Sequence, residues 1–476
     1  MKNIILIILL ATTVASCWGQ ALKLGRDQAL KDLKIIRKSV EEIHPGLNRF
    51  GQQVAFNSRF DSIAGGIQRQ DSVSRIDFFR LVNPLMVTIK CGHVKFLPPF
   101  KEFPFYFHAD KVLPIIVRFD EDDNLLIVKA ARENLRGKFI QEINGKSVSG
   151  IIETLRRNMF VDGKGKTSAD AQIQQYFSAW YADFIQTLES SFRIKVTDQS
   201  GNTEMLDLPP ISAAAWKELD KEVVVHGKKN ELTFLNESTA LLRVASFMPE
   251  HSNRDFSKFL KTSFNEFSSK QIKHLIIDVR GNEGGNDKLG KQLYSYIAVD
   301  KFRYYDRIEL HVRKKKDVTY RQFAYFPKFS GIASILVRRR KDGGYLWTHH
   351  KNLGIQRPRK NAYKENVSFL VDGLSFSVTS EFLSVAKSEN RGKFIGEESG
   401  GGYSGDNSGT FIILKLPASG YDIGIPVAAY YAAVKPSNEE SRGVLPHVEI
   451  RQTAADLLEN RDKVLEYALT NQTAER

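Results

Sequence analysis

The chain has 476 residues, 42% of them hydrophobic and 26% charged, close to the globular average. At roughly 150 residues per domain, this length predicts about three domains whose cores need no disulfide or metal staple, and it excludes a small stapled scaffold, collagen and a largely disordered chain. The formal charge is +14, and the segment His311–Lys360 holds 14 basic residues against two acidic ones, Asp317 and Asp342, so this one stretch supplies +12 of it.

The opening MKNIILIILLATTVASCWGQ, with one Lys and an apolar run from Ile4 to Ala15, reads as a secretion signal spanning residues 1–20. The run falls short of the roughly 20 apolar residues that cross a bilayer, and no later stretch reaches that length. Two processing sites compete. Val14-Ala15-Ser16-Cys17 resembles a lipobox, which would make Cys17 a lipid anchor, whereas Cys17-Trp18-Gly19 resembles an ordinary cleavage site before Gln20. After either cleavage the one cysteine besides a lipidated Cys17 is Cys91, so an exported protein with no internal disulfide is expected, in the periplasm or at the outer membrane or cell surface.

A helical cap is predicted over residues 21–100. Ala29, Leu30, Leu33, Ile36, Val40 and Ile43 draw one apolar helix face that stops at His44-Pro45-Gly46. A second helix runs from about Arg75 to Met86, which Pro84 kinks or ends.

Alternation in Val112–Phe119 and Asn124–Ala131 predicts two strands joined by an acidic turn. A short strand then leads to the turn Asn144-Gly145 and a helix from about Val148 to Arg157. This stretch, residues 101–160, resembles a PDZ-like module. Residues 161–230 read as a connecting helix with Ile173, Phe177, Trp180 and Phe184 on its core stripe, then a hairpin, SFRIKVTD and EMLDLPPI, and a polar boundary near Val225–Asn230.

From residue 231 to 476, strands and helices alternate. Leu275–Ile277 is a buried strand, followed by a turn with Gly281, Gly284 and Gly285 and a helix from about Asp287. Glycines before a helix N-terminus let backbone N–H groups point at a phosphate or an oxyanion. The spacing fits neither a P-loop nor a dinucleotide fingerprint. The arrangement repeats at Phe369–Val371, where Ser377 lands at the start of a helix from about Val378. There a serine serves either as an N-cap, with Glu381 near capping-box spacing, or as a nucleophile at the positive end of the helix dipole.

The order IIDVRGNEGGN, SFSVTSEF and FIGEESGGG resembles the C-terminal processing (tail-specific) serine peptidases, whose relatives include the tricorn protease core. The likeness extends to LMVTIKCGHVKFLPP before the PDZ-like unit and to the closing RGVLPHVEIRQTAADLLENRDKVLEYAL. It implies a multi-domain α/β (α+β) fold: helical cap, PDZ-like β-rich module, and a ClpP/crotonase-like α/β catalytic domain with a basic insertion at residues 311–360. It also implies an exported serine-type peptidase that hydrolyses peptides or unfolded protein termini through a serine acyl-enzyme. The alternative is an inactive member of the family that binds a peptide or ligand.

Carried onto this sequence, the family nucleophile falls on Ser377, with Ser375 and Ser380 as neighbouring competitors. The oxyanion hole falls on the N–H of Val378 and of Gly284 or Gly285. Many family members place a general-base Lys where Gly400-Gly401-Gly402 stands here. The tricorn-like branch uses a His from the early domain, which matches His93 in Cys91-Gly92-His93, with His44 as a second claimant. Glu440 corresponds to a carboxylate that assists such a site, while Glu397 reads as structural.

On a strand Cys91 and His93 would share one face, which formally allows a Cys–His pair. No HExxH or CxxC spacing exists, so neither a metal nor another cofactor is implied. The expected partners are peptide or unfolded-protein substrates and, with a lipid anchor, a membrane surface. Nucleic acid is not expected, because no nucleic-acid motif accompanies the basic segment. That segment reads as a solvated insertion or as a basic lid over a cleft.

Overall fold

The computed structural model describes residues 23–99, 107–186, 190–223, 229–248, 252–326, 336–341, 343–437 and 441–471. The proposed signal, its Cys17 and the carboxylate Glu440 lie outside these residues. Among the described residues no helix is long and apolar enough to cross a membrane.

Three helices form the N-terminal region: Arg26–Ile43, Gln53–Gln68 and Arg75–Val87. The first buries Ala29, Leu33, Ile36, Val40 and Ile43 together with Ile35. It stops at His44, whose extended backbone (φ −70°, ψ 117°) suits the residue before a proline, where the α region is sterically disfavoured. Gln53–Gln68 gave no clear periodicity because it buries only Phe56, Ile63 and Ile67. The third helix starts at Ser74, whose hydroxyl accepts the Asp77 N–H (3.1 Å), and it runs through Pro84 to Val87 without ending there.

The next unit departs from the domain boundaries read from the sequence. The antiparallel strands Ile115–Phe119, Leu125–Ala130 and Phe139–Ile143 continue directly into the hairpin Phe192–Thr197 and Thr203–Leu208, because Ile143 pairs with Ile194. Ile211 then returns to pair with Val112. A boundary at residue 160 therefore cuts one sheet. The helices Val148–Arg156 and Lys166–Phe184 belong to the same body, the second bent at Tyr176 (φ −140°, ψ 36°). Its Ile173, Phe177 and Phe184 are core residues, and Trp180 is half-buried beside them.

The C-terminal region is built on two large sheets, beside a two-stranded one of Phe302–Arg303 and Ile355–Gln356. In the first, Glu231–Phe234 pairs antiparallel with Thr239–Arg243. The strands His274–Asp278, Asn366–Val371, Lys393–Gly396 and Val448–Glu449 follow in parallel order. Helices cover this sheet on both faces, which is why its central strands read as continuous apolar runs. Two strand ends, after Asp278 and after Val371, lie side by side, and their loops meet at the carboxyl edge of the sheet, where α/β proteins place ligands.

The second sheet is built on the long strands Asn407–Lys415 and Asp422–Ala432, with Tyr305–Leu310 beside them. It also takes in Lys95–Leu97 from the N-terminal region. The basic segment is not a detached loop, since Ala324–Tyr325, Val337–Arg339 and Tyr345–Trp347 are strands of this sheet and Arg340 pairs with Glu309. Near the C-terminus, Arg280 bridges Asp278 (2.9 Å) and Asp462 (2.7 Å), which ties the last helices to the carboxyl edge of the first sheet. The chain is thus a multi-domain α+β protein.

Candidate active site

Two glycine-rich turns build the site. The turn after His274–Asp278 is pinned by four contacts, three of them to the turn after Asn366–Val371. The Gly281 N–H meets the Asp372 carboxylate (2.9 Å), the Ser375 hydroxyl donates to the Val279 carbonyl (3.0 Å), the Phe376 N–H donates to the Asn282 carbonyl (3.0 Å), and Asn282 Nδ2 donates to the Val244 carbonyl (2.9 Å). Every donor here belongs to a buried or half-buried group, so the two turns form one rigid ledge.

Ser377 stands at the end of this ledge with φ +58° and ψ −128°, in front of the helix Val378–Ser388. A positive φ on a residue with a Cβ costs about 1–3 kcal/mol and persists only where the surroundings fix it. The three neighbouring serines separate cleanly. The Ser375 hydroxyl is bonded to the Val279 carbonyl, and the Ser380 hydroxyl donates to the Ser375 carbonyl (2.7 Å) and accepts the Gly401 N–H (3.0 Å). Ser377, which is half-buried, has no hydrogen-bond partner for its hydroxyl among the described residues, so it does not act as the helix N-cap. Glu381 correspondingly forms no capping box. It is buried and accepts the Tyr305 phenol proton (2.5 Å), and burial, reinforced by Asp406, raises its pKa well above the ordinary range.

The amide donors can also be assigned. Val378 is the first residue of its helix and its N–H has no partner among the described residues. The Gly284 N–H is occupied by Asn282 Oδ1 (2.9 Å), which removes Gly284 from the expected oxyanion donors, while the Gly285 N–H has no partner among the described residues. Gly284 matters instead for its missing side chain. A Cβ there would lie 2.8 Å from Ser377 Cβ and 3.0 Å from Val378 N.

The run Gly400-Gly401-Gly402, where the resemblance leads one to expect a lysine, is packed onto the same turn. A Cβ on Gly400 would come within 2.3 Å of the Gly373 carbonyl oxygen, and one on Gly401 within 2.7 Å of Ser380 Oγ. No side chain fits at either position while the ledge keeps this shape.

His93 reaches the site from the N-terminal region. Cys91-Gly92-His93 is a tight turn preceding Lys95–Leu97, not a strand. The turn is held by the Gly92 N–H on Asp162 Oδ1 (2.8 Å) and the Gly163 N–H on the Lys90 carbonyl (3.1 Å). The His93 ring stacks on Phe376, the residue before Ser377, at 4.5 Å between centroids. No hydrogen bond joins the ring to Ser377 among the described residues. His93 Nε2 lies 3.8 Å from Asp406 Oδ2, and among the described residues neither His93 Nδ1 nor this Asp406 oxygen has a hydrogen-bond partner. Burial pushes the imidazole down to about 4; Asp162 opposes the shift and Lys95, whose ammonium bonds the Gly92 carbonyl (3.1 Å), adds to it.

The other claimants have surroundings that do not suit the role. His44 is fully buried, accepts the Gly46 N–H on Nδ1 (3.2 Å) and is driven to about 3 by burial, which makes it a packing group. Cys91 is buried with its thiol pushed up to about 12 by burial and Asp162, so it is no thiolate nucleophile. Glu397 lies 3.6 Å from Arg451 and lines a polar cavity of about 550 Å³ with Arg118, Lys166 and Asp372. That cavity abuts the ledge at Asp372–Leu374 but is lined by neither Ser377 nor His93. Sequence reasoning missed Asp162, Phe376 and Asp406. Asp162 and Asp406 come from distant segments and carry no local motif.

Residues 238–450 match peptidase family S41. Among solved structures, mature CPAF complexed with lactacystin superimposes with a TM-score of 0.67 at 14% identity, over 94% of this chain and 98% of that one. A second structure of mature CPAF gives 0.65 at 14% identity, over 93% and 95%. A putative peptidase from Parabacteroides merdae gives 0.48 at 13% identity, over 95% and 98%. No curated protein matches the chain.

Proposed function

We propose, from the match of residues 238–450 to peptidase family S41, that the chain is a serine-type peptidase with Ser377 as its nucleophile and His93 as its general base. One observation carries this assignment: of the serines on the ledge, only Ser377 has an unengaged hydroxyl, and it sits strained beside the free Val378 N–H. Strain of this kind gathers where chemistry needs a group held out of its relaxed conformation.

In the proposed reaction Ser377 Oγ attacks the scissile carbonyl carbon while His93 takes its proton. An imidazole held near pKa 4 is neutral at physiological pH and so able to accept it. With Nε2–H directed at Asp406, the unpartnered Nδ1 is the accepting atom. The hydrogen bond to Ser377 forms as substrate binds, since catalytic contacts of this type tighten only in the complex. The tetrahedral oxyanion is stabilised by the N–H groups of Val378 and Gly285 at the positive end of the helix. Collapse transfers the proton from His93 to the leaving amine. Water, deprotonated by the same ring, then hydrolyses the acyl-enzyme ester and frees Ser377.

The substrates of this reading are peptides or unfolded protein termini, presented by the β-rich module. Glu440 would assist the imidazole. The protein would be exported, with Cys17 as a lipid anchor if the first processing site is used; the mass of the mature N-terminus checks this. A serine-directed fluorophosphonate tests the central assignment. An adduct on Ser377 that disappears in His93→Ala supports it, and an adduct on Ser375 or Ser380, or one that forms at the wild-type rate in His93→Ala, overturns it.

A further inference from the structure

Beside the Ser377 ledge, three side chains from two segments converge, and of these the proposed peptidase reaction uses only His93. Cys91 Sγ, a ring nitrogen of His93 and a carboxylate oxygen of Asp162 all lie within 4.8 Å of one another. The three residues are 1%, 9% and 4% exposed. His93 Nδ1 and Asp162 Oδ2 have no hydrogen-bond partner among the described residues, and Cys91 Sγ makes only a long contact to the Asn407 carbonyl (3.6 Å). Buried polar atoms are normally satisfied, so two orphans facing a buried thiol call for an explanation.

We propose that Cys91, His93 and Asp162 form a binding site for a borderline-soft divalent transition-metal ion of the Zn2+ type, and that the bound ion switches the peptidase off by occupying His93. One sulfur, one imidazole nitrogen and one carboxylate oxygen match the donors that zinc takes, at about 2.0–2.3 Å each. Ligands at those distances around a tetrahedral ion stand about 3.3–3.8 Å apart, so the three atoms need to close by roughly 1 Å. The two segments are already fastened together by the Gly92–Asp162 and Gly163–Lys90 hydrogen bonds, which keep the three donors close to one another.

A divalent cation also resolves the local electrostatics. Among the described residues no salt bridge reaches Asp162, and a coordinating thiol gives up its proton to the metal. Lys95, bonded to the Gly92 carbonyl, is the nearby positive charge that opposes the ion. Three protein ligands leave a fourth position open for water. The donor set carries no glutamate as a hydrolytic base, and Ser377 remains the nucleophile, so the ion acts as an inhibitor. The inhibitory half of the proposal rests on His93 being the base.

The test uses the purified mature protein titrated with Co2+ and with Zn2+, reading metal binding and peptide hydrolysis separately. One Co2+ per chain is expected, with the near-ultraviolet absorption of a thiolate–cobalt bond that is absent in Cys91→Ala. Zn2+ should stop hydrolysis by the wild type, chelator should restore it, and Cys91→Ala should need at least about tenfold more Zn2+ while retaining its metal-free activity. Asp162→Asn, which keeps an acceptor for Gly92, should weaken Co2+ binding by a similar factor. No thiolate–cobalt absorption, or the same absorption in Cys91→Ala, overturns the site. Stoichiometric binding with undiminished hydrolysis leaves the site standing and overturns His93 as the base.

Discussion

Gly284 and Ser377 occupy one another's space: a Cβ added to Gly284 would fall 2.8 Å from Ser377 Cβ, nearer than real Cβ atoms approach a neighbour. The backbone of Gly284 (φ +99°) is also one that side-chain-bearing residues avoid. The glycine turn is therefore shaped by the serine next to it.

Gly284→Ala should accordingly displace the serine while the fold persists. A loss of at least about a hundredfold in kcat/KM is expected, the order seen when active-site positioning slips by an ångström. Circular dichroism should remain that of the wild type. Unchanged kinetics in Gly284→Ala would mean that the ledge is softer than its geometry indicates.

Ser377→Ala should abolish both hydrolysis and fluorophosphonate labelling, because no other serine of the ledge has a hydroxyl to offer. Ser380→Ala removes the acceptor for the Gly401 N–H and should cost about 1–3 kcal/mol of stability. It should still label at Ser377.

The acid limb of kcat/KM should lie near pH 4 rather than near 6.5. Burial, partly offset by Asp162 and reinforced by Lys95, lowers the His93 pKa to about 4, so the ring stays neutral and basic down to that region and loses activity only as pH falls through it. A pH profile with a stable peptide checks this, and a midpoint at or above 6.5 would contradict the buried environment of the ring.

Glu381→Gln should be tolerated. The buried carboxyl is held neutral by burial and by Asp406, and a glutamine carbonyl still accepts the Tyr305 phenol. A loss below about 1 kcal/mol is expected in chemical denaturation, whereas an ionised Glu381 would make the change far more costly.

Arg280→Leu should destabilise the protein by about 3–5 kcal/mol, the usual effect of removing one member of a buried ion pair. Its guanidinium is 6% exposed and joins Asp278 to Asp462. Arg243 also pairs with Asp278 (2.8 Å) and should hold the variant towards the lower end of that range. Urea melts of the two proteins measure the difference.

Much of this architecture was readable in the chain because its signals are local. The strand–turn–helix units at Leu275 and Phe369 announce themselves by apolar runs that end in glycine or serine turns, and the first helix by its three- and four-residue spacing. The surroundings of His93 were not readable. Its neighbours Asp162 and Asp406 lie far along the chain, and both belong to loops whose sequence carries no period. The boundary misplaced at residue 160 has the same cause: the Ile143–Ile194 pairing is a long-range contact, and the intervening helices look like a linker. Cys91 and His93 were read as strand neighbours because nothing in Cys-Gly-His reveals that Asp162 accepts the Gly92 amide and so closes a turn.

The ring and the hydroxyl of this centre are supplied by opposite ends of the polypeptide. Arg49 holds the carbonyls of Ser404, Asp406 and Tyr430 from one end, while His93 leans on Phe376. On the proposed assignment, hydrolysis depends on long-range docking, and a chain that still lacks the strands Asn407–Lys415 and Asp422–Ala432 would hold His93 away from Ser377 and be inactive.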